Sequence, residues 1–283
     1  MNDLRVRLSQ NAALLTAIAI FILFYVFYNM NHPRGFSVAV LIQNSNEVFT
    51  LAMVAMAQTV PVLMGGLDLS VGAIMTLVNT IASHLLNGSP AQIAFGMVLS
   101  LGAGAACGFV NGCIVVYGRI QPIIATLATV AFFLGLALFL RPSPGGNVDD
   151  DLSWAATNDL YEIAATYGYA QNGEAAWFQP ISWIPVPLVL LVLVALCVWM
   201  PFARSVTGRT VYAVGSGEGA AYMSGLSIDR AKIAAFTLGG FFAGVGGLYL
   251  TLQTSSGNAD IPQAGAYTLN SIAAVVIGGT SLL

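Results

Sequence analysis

One short stretch of the sequence, residues 65–72, places a carboxylate among glycines inside an otherwise apolar region. Apolar runs at 46–64 and 69–86 flank it, and each is long enough to cross a bilayer as a helix. Asp68 is costly at such a place unless it is paired, caps a helix or faces water. Asp68 can cap a helix that begins at Leu69. It can also form a hinge or a pore-lining polar group where a helix is broken, and the two interpretations are compatible. The site residues predicted here are Gly65, Gly66, Asp68, Ser70 and Gly72.

A second group of carboxylates, Asp149, Asp150 and Asp151, offers adjacent oxygen ligands. Such a run could coordinate a divalent cation, as in membrane transferases that act on lipid-linked sugars. The alternative is a solvated acidic loop, and no second acidic cluster lies beside the run in the sequence. We therefore predict no metal site and no catalytic residue.

A third stretch with a distinctive pattern lies within the polar segment 211–232. Glycines precede and follow a short run that begins with Glu218, which favours one or two helical turns capped at both ends. A short, stiff helix between two membrane spans suits docking on a partner protein. An ordinary interhelical loop is the alternative.

Other motifs that would indicate chemistry are missing. The sequence contains no GxxxxGK[ST] nucleotide loop, no HExxH zinc motif and no GxSxG nucleophile elbow. These absences argue against ATP binding by that loop, and against a zinc peptidase or a serine hydrolase of those types. We predict that the protein is not an enzyme and uses no cofactor.

The composition of the chain indicates the class of protein to which these residues belong. The chain is 57% hydrophobic and only 7% charged, whereas a soluble domain carries about 25% charged residues. Its mean hydropathy is +0.81. The net charge of −3, without a basic patch, argues against nucleic-acid binding. The sequence therefore predicts a polytopic protein of the lipid bilayer.

The predicted fold is all-α, with about eight membrane spans and helix packing rich in small residues. A repeated G-x-x-x-G at Gly104, Gly108 and Gly112 predicts a close helix–helix approach. The predicted spans are 12–28, 46–64, 69–86, 93–117, 120–140, 186–202, 233–252 and a last one from residue 266. A short run at 31–44 is predicted to lie along the membrane surface.

Two polar segments and the basic residues predict the orientation. Residues 141–185 form a long acidic segment, and residues 203–232 form a basic one. With a cytoplasmic N-terminus, seven of the nine Lys and Arg residues lie inside: Arg5, Arg7, Arg119, Arg204, Arg209, Arg230 and Lys232. Because cytoplasmic loops are enriched in Lys and Arg, we predict that orientation, with the acidic segment in the periplasm.

Four sequence runs, in the same order, resemble the permease subunits of ABC importers of the ribose/xylose/galactose type. They are GLDLSVG at 66–72, IQP and IATL at 120–127, YAVG through GL at 212–226, and IAAVVIGGTSL at 272–282. The resemblance covers nearly the whole chain, so residues 1–283 are expected to form one permease domain. The family has about ten spans, and this chain is expected to stop about two spans short of it.

The resemblance implies a multi-pass protein of the bacterial inner membrane that carries a monosaccharide. It implies three partners: cytoplasmic ATPase subunits, a periplasmic sugar-binding protein, and a second copy of this or a related permease. The segment 203–232 resembles the ATPase-coupling loop, with coupling residues at Glu218, Gly219, Ala220, Ala221 and Gly225. The alternatives are an ion-coupled secondary transporter, which needs paired intramembrane charges where only Asp68 and Glu47 stand, and a membrane transferase that uses the acidic segment.

Overall fold

A computed structural model describes residues 12–168, 184–259 and 263–280, and within them all regular structure is helical. Residues 169–183 of the acidic segment lie outside the described residues. The twelve described helices are α1 (Ala12–Asn31), α2 (Val38–Val62), α3 (Val71–Leu85), α4 (Pro90–Tyr117), α5 (Pro122–Leu140), α6 (Asp150–Thr157), α7 (Leu160–Thr166), α8 (Val186–Arg204), α9 (Val206–Ser216), α10 (Glu218–Met223), α11 (Ile228–Thr254) and α12 (Gln263–Ile277). Helix α8 contains a π-helical turn at Ala195–Trp199.

Eight of these helices coincide with the predicted membrane spans. Helices α2, α4, α5, α8 and α11 are long and apolar enough to cross a bilayer, and α1, α3 and α12 are shorter apolar helices. Many large apolar side chains on α1, α4 and α5 remain exposed, as expected where lipid is the solvent. The prediction of a polytopic, all-helical membrane protein is confirmed.

The second span begins earlier than predicted, so most of the predicted surface run at 31–44 was wrong. Helix α2 begins at Val38, where the Ser37 side chain accepts a hydrogen bond from the Val40 N–H. Polar residues near the start of this helix find partners in other parts of the chain. Asn46, for example, donates to the Thr157 carbonyl over 3.2 Å and accepts from the Tyr249 hydroxyl over 2.6 Å.

The two polar segments are largely helical where they are described. Helices α6 and α7 lie in the acidic segment, and α9 and α10 lie in the segment between α8 and α11. Helix α11 begins at Ile228, five residues before the predicted span. The segment between α8 and α11 is therefore a compact pair of short helices and not an extended loop.

Helix α11 forms the centre of the bundle and is the most buried of the membrane-length helices. It packs against α2, α3 and α4. A Cβ atom added at Gly104 would lie 2.7 Å from the Gly240 carbonyl oxygen, and one at Gly112 would lie 2.8 Å from the Ile233 Cα. The close approach predicted from the glycine repeat is thus confirmed, since the α4 and α11 backbones touch.

The turns gather at two opposite ends of the bundle. At the end that we call the Asp149 end, the Asp149 N–H donates to the Leu86 carbonyl over 2.7 Å, while Gly145 and Gly257 exchange backbone hydrogen bonds of 3.0 and 2.7 Å. The opposite, Asp68 end holds the α2–α3 turn, the α4–α5 turn and α10. The residues predicted to be functional lie mainly at the Asp68 end.

Candidate functional site

The turn between α2 and α3 reverses the chain through two glycines. Gly65 has a φ of +71°, a left-handed conformation that glycine adopts without steric cost. Gly66 packs on the ring of Pro122, where an added Cβ would lie 3.3 Å from the proline Cγ. This turn therefore contacts the start of α5, which joins two motifs that are far apart in the sequence.

Asp68 is fully buried behind this turn and organises a polar network. Its Oδ1 atom accepts hydrogen bonds from the Ser70 N–H at 2.8 Å and from the Ser70 hydroxyl at 2.6 Å. The Ser70 hydroxyl in turn accepts from the Asn111 side-chain amide of α4 at 2.7 Å. Asp68 Oδ2 and Asn111 Oδ1 are buried without a hydrogen-bond partner among the described residues.

The backbone around Asp68 is held as firmly as its carboxylate. In the amide orientation that satisfies both groups, Gln58 of α2 donates to the Asp68 carbonyl at 2.8 Å and accepts from its N–H at 3.3 Å. The Leu69 N–H donates to the Thr126 hydroxyl of α5 at 3.0 Å. Three other helices thus contribute side chains that hold the segment before α3.

The predicted helix start at Leu69 was wrong by two residues, because α3 begins at Val71. Asp68 nevertheless accepts a backbone N–H as a capping residue does, at Ser70 in the turn that precedes the helix. Gly72 at the start of α3 donates to the Thr268 hydroxyl of α12 over 3.1 Å. Asp68 and Ser70 are fully buried, whereas Gly65 and Gly66 line a cavity.

The short helix α10 ends in a Schellman motif. The Leu226 N–H donates to the Ala221 carbonyl at 3.2 Å, and the Gly225 N–H donates to the Tyr222 carbonyl at 2.9 Å. Gly225 has a φ of +75°, the left-handed conformation that this motif requires. Glu218 lies in the first turn, where the helix dipole favours an acidic group. The short helix and its glycine C-cap are confirmed, while no side chain caps its start.

Helix α10 presents one face outward. Tyr222 is 71% exposed and Met223 is 85% exposed, whereas Ala221 is only 3% exposed. Gly219 and Ala220 are also exposed. Glu218 forms an ion pair of 2.7 Å with Lys232 of α11. The outward face thus consists of two large apolar side chains beside small residues, and Ala221 belongs to the inner face.

A cavity of about 630 Å³ lies between these features at the Asp68 end. It is bordered by the α2–α3 turn, the α4–α5 turn, α10 and the first turns of α11. Its lining includes Gly65, Gly66, Arg119, Gln121, Pro122, Glu218, Asp229 and Lys232. Three motifs that the sequence singled out separately therefore meet around one opening.

Sequence reasoning missed the partners that hold this site together. Gln58, Asn111 and Thr126 were not predicted, although each is a polar residue inside an apolar span. A polar residue in a membrane helix is a signal in itself, because it needs a partner there. That signal alone does not reveal which partner it finds.

The acidic run at Asp149 is a helix start. Asp149 caps α6 by accepting the Leu152 N–H at 2.8 Å, and Asp150 and Asp151 occupy its first turn. In the part of the chain that the structure describes, no three His, Cys, Asp or Glu side chains are grouped so that they could hold a metal ion. The geometry therefore supports a capped helix start whose first-turn carboxylates are exposed.

Known proteins resemble this chain over most of its length. The family model described as "Branched-chain amino acid transport system / permease component" matches residues 40–283. The ribose import permease of Haemophilus influenzae is 32% identical over 94% of this chain and 76% of its own length. The ribose import permease of Bacillus subtilis is 32% identical over 83% and 67%, and the D-allose permease of Escherichia coli is 28% identical over 81% and 64%. No solved structure gives a significant match.

Proposed function

The chain belongs to this family of transport-system permeases, and on that premise we propose that it is the membrane channel subunit of an ATP-driven importer of a monosaccharide. It is a multi-pass inner-membrane protein and not an enzyme, because the family consists of permease components. The relatives named for ribose and D-allose support a sugar substrate. Energy would come from separate ATPase subunits, since the chain has no nucleotide loop of its own.

The observation that carries this proposal is helix α10 and its place in the bundle. A subunit that receives mechanical work needs a stiff element that a partner can grip and that contacts the transmembrane helices. Helix α10 is closed by its glycine C-cap, exposes Tyr222 and Met223, and is tied to α11 through Glu218 and Lys232. A displacement of α10 would therefore act on the central helix of the bundle.

The remaining partners follow from the same arrangement. We propose that the Asp68 end faces the cytoplasm and receives the ATPase subunits. The Asp149 end would then face the periplasm and receive the sugar-binding protein. A second copy of this or a related permease would complete the channel. The excess of Lys and Arg on the segments assigned to the inside supports this orientation.

Cysteine labelling tests the orientation. In a background without Cys107, Cys113 and Cys197, we expect Ser143→Cys to react with an impermeant maleimide in intact cells, because Ser143 is exposed at the Asp149 end. Ser216→Cys at the end of α9 is also exposed but should react only after the membrane is opened. The opposite labelling pattern would reverse the topology and remove α10 from the ATPase side.

A substitution on the outward face of α10 tests the docking surface. We expect Met223→Asp to abolish co-purification of the ATPase subunit and the ATP hydrolysis stimulated by the loaded binding protein. The physical reason is that a charge would have to be desolvated in an apolar contact. Folding should be unaffected, because Met223 is 85% exposed.

The matched control is Val206→Asp at the start of α9. Val206 is 70% exposed, lies in the same connection between α8 and α11, and sits where the helix dipole tolerates an acidic residue. Co-purification and stimulated hydrolysis should survive this change. Retention of the ATPase by Met223→Asp would show that α10 is not the docking surface, and the importer proposal would lose its mechanical basis.

A further inference from the structure

A second cavity, which the proposed docking surface does not use, opens toward the Asp149 end. It has a volume of about 520 Å³ and lies between α2, α11 and α12. Apolar side chains of Val48, Leu51 and Leu250 form part of its wall. Glu47, Gln253, Tyr267 and Asn270 add polar groups to that wall. A largely apolar cavity with a few convergent polar groups is the usual form of a small-molecule site.

The polar groups in this cleft are already partly organised. Glu47 Oε1 accepts a hydrogen bond from Gln253 Nε2 at 2.7 Å, which joins α2 to α11. The other amide atom, Gln253 Oε1, is buried and accepts no hydrogen bond among the described residues. A buried acceptor without a donor costs about 1–3 kcal/mol. A ligand hydroxyl placed against Gln253 would supply the missing donor.

Glu47 is itself unusual, because it lies inside a membrane-length helix. Helix α2 runs from Val38 to Val62, so Glu47 stands ten residues into it, about 14 Å along its axis. Its partner Gln253 is the last residue but one of α11, so Glu47 lies near the Asp149 end of the bundle, where it is exposed to a ligand that enters from that end. Because Glu47 pairs with an amide and not with a cation, its carboxylate oxygens can still accept hydrogen bonds from a ligand.

We propose that this cleft contacts the transported molecule, and that the molecule is an uncharged, polyhydroxylated ligand. The inference rests on the proposed function and adds where the substrate is held and what chemistry holds it. Carboxylate and amide groups can accept from and donate to several hydroxyls. Tyr267 and the aliphatic wall can cover the apolar face of a sugar ring.

The charge of the cleft favours a sugar over an amino acid, although the family description names branched-chain amino acids. None of the side chains that line the cleft within the described ranges is cationic. The ammonium group of an amino acid could pair with Glu47, but its carboxylate would find no cationic side chain in the cleft, and an unpaired charge is costly to desolvate. Neutral hydroxyls carry no such cost.

The first test is ligand protection in the full-length chain. Thr254, an exposed residue of the cleft that is not one of its proposed ligand groups, is replaced by cysteine in the background without Cys107, Cys113 and Cys197. Saturating ribose or D-allose should slow the reaction of this cysteine with maleimide, and leucine should not. Ser143→Cys, which lies outside the cleft, should react at the same rate with or without sugar.

The second test is uptake in proteoliposomes that contain the ATPase and the binding protein. Glu47→Leu and Asn270→Leu should each lower uptake of the protecting sugar roughly tenfold, as the loss of one hydrogen bond predicts. Binding-protein-stimulated ATP hydrolysis should persist, so uptake per ATP falls. The matched control is Gln43→Leu on α2, an exposed residue that does not line the cleft, and it should transport normally.

The outcomes separate this inference from the proposed function. Unchanged labelling with sugars, or protection by leucine instead, would overturn the polyol cleft even if the wild-type chain imports sugar with ATP. Normal uptake by both cleft variants would overturn it as well. Sugar protection without ATP-dependent uptake by the wild-type chain would keep the cleft and refute the importer.

Discussion

Replacing Gly108 by leucine is expected to prevent stable folding of the bundle. An added Cβ at this position would collide with the Phe236 carbonyl oxygen and lie 3.0 Å from the Gly240 Cα. Both obstacles are backbone atoms of α11, so no side-chain rearrangement can relieve the overlap. The two helices would have to separate along their whole crossing.

The expected cost follows from what that separation disrupts. Overpacking in a core costs about 1–3 kcal/mol when neighbours can shift. Here the α4–α11 contact is continuous from Gly104 to Gly112, so we expect a loss of roughly 3 kcal/mol or more in unfolding free energy. Thermal unfolding and size-exclusion profiles of the purified protein in detergent measure it.

Gly102 provides the control on the same helix. It is exposed, and nothing lies within 4 Å of a Cβ built there. Gly102→Leu should therefore unfold at or slightly above the wild-type temperature, because leucine is the better helix former. Equal damage from both substitutions would mean that the effect comes from helix propensity or membrane insertion and not from the crossing.

Asp68→Leu should destabilise the turn between α2 and α3 by about 2–4 kcal/mol, the cost of leaving two buried donors unpaired. The donors are the Ser70 N–H and hydroxyl, which both bond to Asp68 Oδ1. Asp68 and Ser70 are both fully buried, so water cannot take the place of the carboxylate as the acceptor. Uptake should fall together with the melting temperature.

Asp68→Asn separates the hydrogen bonds from the charge. The asparagine side chain keeps an acceptor for Ser70 and is nearly the same size, so stability should stay within about 1 kcal/mol of wild type. Uptake should be largely retained. If Asp68→Asn abolished uptake at normal thermal stability, the negative charge would have a role beyond holding the turn.

Local patterns in the sequence were enough to predict most of the helices and one of the caps. Long apolar runs with few charges can satisfy their backbone groups in a bilayer only as helices, and eight such runs were found. Gly225, which follows the short run that begins with Glu218, predicted the end of α10, because the left-handed C-cap is a local requirement. The helix boundaries were predicted less accurately, as the starts of α2 and α3 show.

The glycine repeat of α4 shows both what a local pattern can determine and what it cannot. The spacing of Gly104, Gly108 and Gly112 determines that one face of the helix is flat. It does not determine which helix lies against that face. The tertiary structure assigns α11, whose Gly240 and Gly244 supply the complementary surface.

What only the tertiary structure decided is which distant residues meet. Asp68 was predicted to cap a helix or to lie on a pathway, yet neither interpretation included Asn111 and Gln58, which reach its surroundings from other helices. Ala221 was predicted within the docking residues, and packing turned it inward while Met223 faces out. Helix formation follows from hydrogen bonds between residues four apart, so the sequence by itself determines it. Burial and the two cavities depend on how whole helices cross, and no local pattern contains that information.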